Sequence, residues 1–270
     1  MKLNILFILI LSSFYFQANS QETGAFRELE NKAFNPGEKL VYRAYYQSFL
    51  TGKLTAGIAT LKVLESTMVF DERETWQINV EANSKGFFNT FYKVRNKFDS
   101  YIDSKALFPH FFIRRTREGG YKKDDEYKFN QKENYVITRS DSVAIPDYTQ
   151  DFVSAVYFAR SLDFDSLQKG DVIPINFFLD DSVYISAIIY QGKEIIEVKM
   201  GKIRCLKFLP GMATGEVFAD KYPMTLYVSD DKNHLPILLE SAVVVGSVKA
   251  ELIEYEGLSN PMNSYIEKYE

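Results

Sequence analysis

The chain has 270 residues, 46% of them hydrophobic and 25% charged. This composition excludes a disordered, collagen-like or low-complexity protein and supplies one large domain or two small ones. Lys and Arg number 32 against 36 Asp and Glu, a net charge of −4, so no basic surplus exists to neutralise a phosphate backbone and nucleic acid is not an expected partner. One cysteine and two histidines give neither a disulfide framework nor the ligands of a structural zinc site.

Residues 1–20 have the layout of a secretory signal peptide. Lys2 is followed by an apolar run from Leu3 to Phe16, and Ala18 and Ser20 stand three and one residues before the expected cleavage point. No cysteine follows that point, and no later apolar run reaches the roughly 18 residues that a spanning helix needs. The expected product is a soluble periplasmic or secreted protein with no transmembrane span after cleavage. Residues 21–35 read as a loose arm or short helix, residues 34–257 as a single β-rich domain, and 258–270 as a frayed tail.

Within the domain, alternation of period two recurs. It predicts strands over Leu40–Gln47, Ala56–Glu65, Thr75–Asn83, Val94–Asp103, Phe111–Arg117, Asn134–Arg139 and Ile173–Leu179. Further strands are predicted over Val183–Tyr190, Ile195–Lys199, Ile203–Leu209, Met224–Ser229, Ile237–Val245 and Ser247–Tyr255. The segments around Gly52, Gly192, Gly201 and Asp230–Asn233 suit tight reversals, which imply antiparallel neighbours. One helix interrupts them. Phe152, Val156, Ala159 and Leu162 repeat at helical spacing, Thr149 is a candidate cap, and Asp151 and Arg160 agree with the helix dipole. So many strands in one domain exceed a flat sheet and predict a curved sheet, barrel or sandwich with this helix plugging one end.

Several strings occur together in order. Asn35-Pro36-Gly37-Glu38-Lys39-Leu40-Val41-Tyr42 opens the first strand, then come Phe98-Asp99-Ser100-Tyr101-Ile102-Asp103 and Arg117-Glu118-Gly119-Gly120-Tyr121. Leu226 to Asp231, His234-Leu235-Pro236-Ile237 and Gly246 to Leu252 follow. In this order, from about Phe34 to Tyr255, the chain resembles the exported bacterial domain-of-unknown-function family 3108. The resemblance implies a mainly β fold, a curved antiparallel half-barrel or barrel with one central helix, similar to envelope lipoprotein carriers. It implies no activity and transfers no site residues.

Polar candidates lie on two strands. Val94–Asp103 places Arg95, Lys97, Asp99, Tyr101 and Asp103 on one face, and Phe111–Glu118 places Arg115 and Arg117 on one face with Arg114 and Glu118 on the other. If the strands are neighbours, arginine forks are expected to meet Asp99 and Asp103 as bidentate pairs. The ligand-binding candidates are Asp99, Tyr101, Arg115, Arg117, Glu118 and Tyr121, facing an anionic head group or glycan. A plain solvated face explains the same charges.

A hydrolase of envelope polymers would use a pair among Asp99, Asp103 and Glu118, although nearby arginines oppose a protonated acid. Ser229, Asp230, Asp231 and His234 read as a polar hairpin tip rather than a triad, and as at most a weak calcium site. Cys205 reads as buried and inert. His110 reads as a satisfied, partly buried side chain. No Walker loop, dinucleotide glycine fingerprint, His-Glu-x-x-His or nucleophile elbow occurs, and no cofactor is expected.

The 22 Phe and 18 Tyr concentrate in residues 87–92 and 108–112. Core packing is their default use, yet consecutive aromatics do not fit a one-sided strand, so some rings face outward or line a cavity. The sequence is therefore read as a non-catalytic envelope protein that binds a lipid or glycan in an aromatic-lined β groove. The alternatives are the hydrolase and a structural, partner-binding module.

Overall fold

A computed structural model describes residues 26–49, 52–211, 224–243 and 246–269. The expected export segment, residues 1–20, lies outside the described residues. The first half contains β1 (Lys39–Ser48), β2 (Gly52–Phe70), β3 (Arg73–Ser84), α1 (Gly86–Phe91), β4 (Arg95–Asp103) and β5 (Pro109–Glu118). It continues through β6 (Tyr121–Asn130), β7 (Tyr135–Ile137), β8 (Ser142–Ala144), β9 (Gln150–Asp151) and α2 (Phe152–Arg160). The second half contains β10 (Val172–Pro174), β11 (Phe177–Leu179), β12 (Ser182–Tyr184), β13 (Ala187–Val198) and β14 (Gly201–Pro210). Last come β15 (Met224–Ser229), β16 (Pro236–Ala242), β17 (Ser247–Glu256) and β18 (Tyr265–Lys268).

Fifteen strands form one sheet in the order β10-β13-β14-β15-β16-β17-β1-β2-β3-β4-β5-β6-β7-β8, with β18 added against β14. The two halves of the chain are joined by antiparallel pairing of β17 with β1. Among the described residues β10 and β8 end the sheet and do not pair with each other, so the barrel is not closed. A small sheet, β12-β11-β9, accompanies α2.

Cross-strand register sorts the side chains onto two faces. On β3, Trp76, Ile78 and Val80 point to the face that carries Leu61 and Val63 of β2 and Phe98 and Ile102 of β4, as the strict alternation of that segment requires. Helix α2 packs Val153 and Tyr157 into this cluster with Phe34, Phe112, Tyr127 and Phe178. Four residues beyond the helix, Phe164 meets Phe208 of β14 at 5.1 Å. The chain of pairs Phe208, Leu226, Leu239, Ala250, Ala44 and Gly57 puts Phe208 on that same face. Both ends of the sheet thus close on one helix and its tail, and the sheet must curl around them. Register shifts at Ala44/Tyr45 and Glu65/Val69 supply part of the bend.

Several elements differ from expectation for local reasons. Gly192, read as a turn, is a bulge inside β13 with φ +104, a conformation glycine adopts without strain. The segments 173–179 and 183–190 each break, because β11 and β12 leave the large sheet for the small one; alternation is the same whichever sheet a strand joins. β6 has no counterpart in the predicted strands, since Lys122-Lys123-Asp124-Asp125-Glu126 hides its pattern. The cap of α2 is Asp151, whose side chain accepts from the Val153 and Ser154 N–H groups, and Ser154 completes a capping box. Thr149 instead donates to the Pro146 carbonyl.

The buried face of α2 is Val153, Ser154, Tyr157 and Arg160, not the Phe152–Val156–Ala159 stripe. The segment after Gly257 is not frayed: β18 pairs with β14, and the buried Ser264 hydroxyl donates to Asp231 at 2.7 Å. The arm is neither helical nor loose over its described part. The Leu29 N–H donates to the Lys105 carbonyl, and Ala33 and Phe34 are buried.

Candidate ligand groove

The polar candidates divide between the two faces of the sheet. Cross-strand pairs Lys97–Arg115, Asp99–Ile113 and Tyr101–Phe111 place Asp99, Tyr101, Arg115 and Arg117 on the convex face. β4 and β5 are neighbours as expected, but the arginines turn to the far strand, β6. Arg115 pairs with Glu126, and Arg117 grips Asp124 at 2.6 and 2.9 Å. The hydrogen bonds from Arg117 lower the Asp124 pKa. Asp99 accepts from Gln77 and Asn79 at 2.8 and 2.7 Å.

Asp103 does take a bidentate arginine, but it is Arg73 of the neighbouring β3. Burial works against the Asp103 charge, yet hydrogen bonds from His110, Arg73 and the Ala106 and Lys105 N–H groups hold its pKa well below the carboxylate range. His110 is buried, with Nε2 3.3 Å from Asp103, and stacks on Phe70. Glu118 accepts from Asn96 on the opposite, concave side, and Tyr121 is exposed beside it at the end of the β5–β6 hairpin. Asp99 and Glu118 therefore stand on opposite faces and do not flank a common cleft. A cleft of about 560 Å³ on the convex face is lined by Arg115, Asp124, Glu126, Lys128 and Arg139, and Arg115 and Glu126 already pair there.

The hairpin tip after β15 is internally satisfied. Ser229 donates to Asp231 at 3.0 Å, Asp230 takes Arg204 and Lys193, and His234 Nδ1 lies 2.8 Å from the Arg160 carbonyl. His234 thus points at α2 rather than at Ser229, and the acids of the tip are engaged by protein partners. Cys205 is fully buried, and burial pushes its thiol up to about 12. It is expected to remain unreactive toward a thiol reagent in the native state and to react stoichiometrically once unfolded; rapid native labelling would contradict its burial.

The closed end of the half-barrel is fastened by a buried ion pair. Arg160 donates to both Glu38 oxygens at 2.6 and 2.7 Å, to the Asn233 carbonyl at 3.1 Å and to the Ala33 carbonyl at 3.3 Å. Its guanidinium lies over the Phe34 and Tyr157 rings. One side chain thereby joins the arm, β1, α2 and the β15–β16 turn.

Above this end small residues recur among larger ones on the concave face. One cross-strand row reads Leu226, Leu239, Ala250, Ala44, Gly57 and Ser84, and the next reads Leu252, Tyr42, Ala59 and Ala82. At Gly57 a β-carbon would sit 2.7 Å from the Asn83 carbonyl oxygen, so the wall admits no side chain there. Helix α2 forms the floor. Tyr157 meets Phe34 and Arg160 meets Glu38 at the closed end, whereas Phe152 meets Phe98 higher on the wall. Phe152 packs half-buried against Phe98 and Phe112, and Ala155, Val156 and Ala159 lie on the side of the helix away from Tyr157, with Val156 exposed and the two alanines half-buried. Ala44, Ala59, Ala82 and Ala250 are half-buried as well. On the same wall the buried Ser241 hydroxyl has no hydrogen-bond partner among the described residues.

The aromatic segment 108–112 is spent on packing: Phe108 and Phe112 are fully buried, and Phe112 lies 5.3 Å from Phe152. The groove lining is mainly aliphatic, with Tyr42 and Phe152 as its aromatic members. Sequence reasoning missed these alanines, which carry no chemical signature. The signal that was present is the apolar stripe of α2, read there as part of a helix plugging one end of the sheet.

Comparison with known proteins agrees with this architecture. The family model described as "Protein of unknown function (DUF3108)" matches residues 41–253. No curated protein matches the chain. Among solved structures, the chain is similar to a beta-barrel-like protein of domain of unknown function DUF1849 from Brucella abortus. The TM-score is 0.53 at 10% identity, over 86% of this chain and 99% of that one. At that identity the likeness is one of fold.

Proposed function

The chain belongs to the DUF3108 family of proteins of unknown function, and we propose that it is an exported envelope protein that holds an amphiphile, acyl portion inward, in the concave groove. The observation that carries the reading is the orientation of α2. An apolar helix stripe normally turns into the core, but here the core takes Val153, Tyr157 and the Phe152 ring, and Ala155, Val156 and Ala159 lie off its buried face. Opposite them Ala44, Gly57, Ala59, Ala82 and Ala250 break the run of larger wall side chains, and we read the room they leave as a seat for a hydrocarbon chain. The leader-like residues 1–20 support an envelope location. The reading assigns the ligand to the concave face, so Asp99, Tyr101, Arg115 and Arg117, on the convex face, take no part in it.

Two variants and one probe test this. Purified protein is expected to release an amphiphile on solvent extraction, or, once stripped, to bind a fluorescent long-chain fatty acid. Val156→Asp, which charges the floor, is expected to weaken that binding at least tenfold with an unchanged unfolding midpoint, since Val156 is already exposed. Ala44→Trp fills an open groove without loss of stability. If the space is instead packed by the protein itself, the tryptophan destabilises by about 1–3 kcal/mol. That outcome, or failure of the wild type to take up the probe, overturns the reading.

A further inference from the structure

In an antiparallel meander alternate turns lie at the same end of the sheet. The β1–β2, β3–β4, β5–β6 and β16–β17 connections therefore share one rim, the open end of the half-barrel. They abut one another. The Lys85 N–H donates to the Ala56 carbonyl of β2, the Gly119 N–H donates to the Lys93 carbonyl, and a β-carbon on Gly119 would lie 3.0 Å from the Tyr92 ring.

This rim is apolar at its tips. In α1, which buries none of its residues, Phe87 and Phe91 are 67% and 72% exposed with their rings 4.6 Å apart. Tyr92, which ends α1, and Phe49 on the β1–β2 turn are exposed as well, as are Tyr121 and Val243. Polar contacts hold α1 in place: Asn89 accepts from Ser84 at 2.9 Å and from Arg95 at 3.0 Å. The phenylalanines are thus presented on a fixed support rather than left on a loose loop.

Charge at the rim departs from that of the whole chain. The described residues at these turns include Lys85 and Lys93, with Lys53 at the start of β2 and Lys122 one residue inside β6; Glu118 ends β5, and the β7–β8 turn at the same rim carries Arg139 and Asp141. The turns at the opposite end mix Asp71, Glu72, Glu133, Asp230 and Asp231 with Lys105, Lys132, Lys199 and Lys232. In a chain of net charge −4, the charges that flank the exposed rings of α1 are the cations Lys85, Lys93 and Arg95.

We infer that this rim docks on an anionic lipid bilayer, with the Phe87–Phe91 pair dipping into the headgroup layer and the lysines facing lipid phosphates. Aromatic rings beside lysines suit the membrane–water interface, where the ring enters the apolar boundary and the ammonium stays with the headgroups. Separate protruding tips suit a soft planar surface better than a packed protein interface, which needs a continuous complementary core. The inference stands on the rim itself and not on what the groove holds.

The test is co-sedimentation of the purified protein with vesicles of phosphatidylcholine, with and without phosphatidylglycerol. Binding is expected to the anionic vesicles, to weaken on omission of phosphatidylglycerol and to fall as salt is raised. Phe87→Ser with Phe91→Ser is expected to weaken it about tenfold or more, and Lys85→Glu with Lys93→Glu by about tenfold or more. All four side chains are exposed, so the unfolding midpoint should hold, and the lysine pair keeps the test open should the phenylalanine pair misfold.

The groove variant Ala44→Trp is expected to bind vesicles as the wild type does. If it abolishes sedimentation, the groove extracts lipid monomers and the rim does not dock, which overturns the inference. Absence of binding to either vesicle, wild-type binding by both rim variants, or a rim that crosslinks to a protein and never to lipid also overturns it.

Discussion

Replacing Arg160 with methionine is expected to destabilise the protein by about 3–5 kcal/mol, read as a fall in the denaturant midpoint at constant slope. The substitution leaves the Glu38 carboxylate buried, 1% exposed, without the two hydrogen bonds that compensate its lost hydration. It also orphans the Asn233 and Ala33 carbonyls. Burial raises the pKa of the Tyr42 and Tyr157 hydroxyls around it, so both stay neutral beside the stranded carboxylate. Adding Glu38→Leu to Arg160→Met removes both charges and is expected to recover most of the loss, since an apolar pair of similar volume is often as stable as a buried ion pair. A single-variant loss below about 1 kcal/mol would mean that water reaches the cluster.

Asp151 sets the second large effect, through pH. It is fully buried, and although Ser100 donates to it at 2.6 Å and two backbone N–H groups point at it, burial dominates and pushes its pKa up to about 6. The folded state therefore holds a proton that the unfolded state has released. Stability from this residue is fully present below the unfolded value of 3.8 and declines as pH rises through about 6, by about 3 kcal/mol in all. Asp103 has the opposite sign: its depressed pKa contributes stability above the ordinary carboxylate range, lost as pH falls through and below it. Asp151→Asn keeps the acceptor for the Val153 and Ser154 N–H groups but abolishes the charge. Its stability relative to wild type is expected to rise between pH 4 and pH 7 by about that amount. A difference that stays flat across the same range would show that Asp151 remains ionised throughout.

The alternation of polar and apolar residues was sufficient to read most of the strands, because a half-buried strand must place every second side chain in the core. Thr75–Asn83 is such a case, and it became β3 with Trp76, Ile78 and Val80 inward. Local pattern also identified the helix near the middle of the chain and the burial of Cys205. It failed at β6, whose five consecutive charges carry no period, and with β6 went the acids Asp124 and Glu126 that take Arg117 and Arg115.

Local pattern was therefore enough for the class of fold, the antiparallel order of neighbouring hairpins and the aromatic surplus at residues 87–92. Tertiary structure alone decided which side of α2 is buried. The helix has apolar residues around most of its circumference, and only the position of Phe34, Tyr157 and the Glu38–Arg160 pair at the closed end fixes its rotation. It also decided that Ala44 and Ala250, far apart in the chain, face each other across β1 and β17. Local periodicity records whether a side chain points inward; what it meets there depends on pairing between distant strands, which no short stretch of sequence encodes.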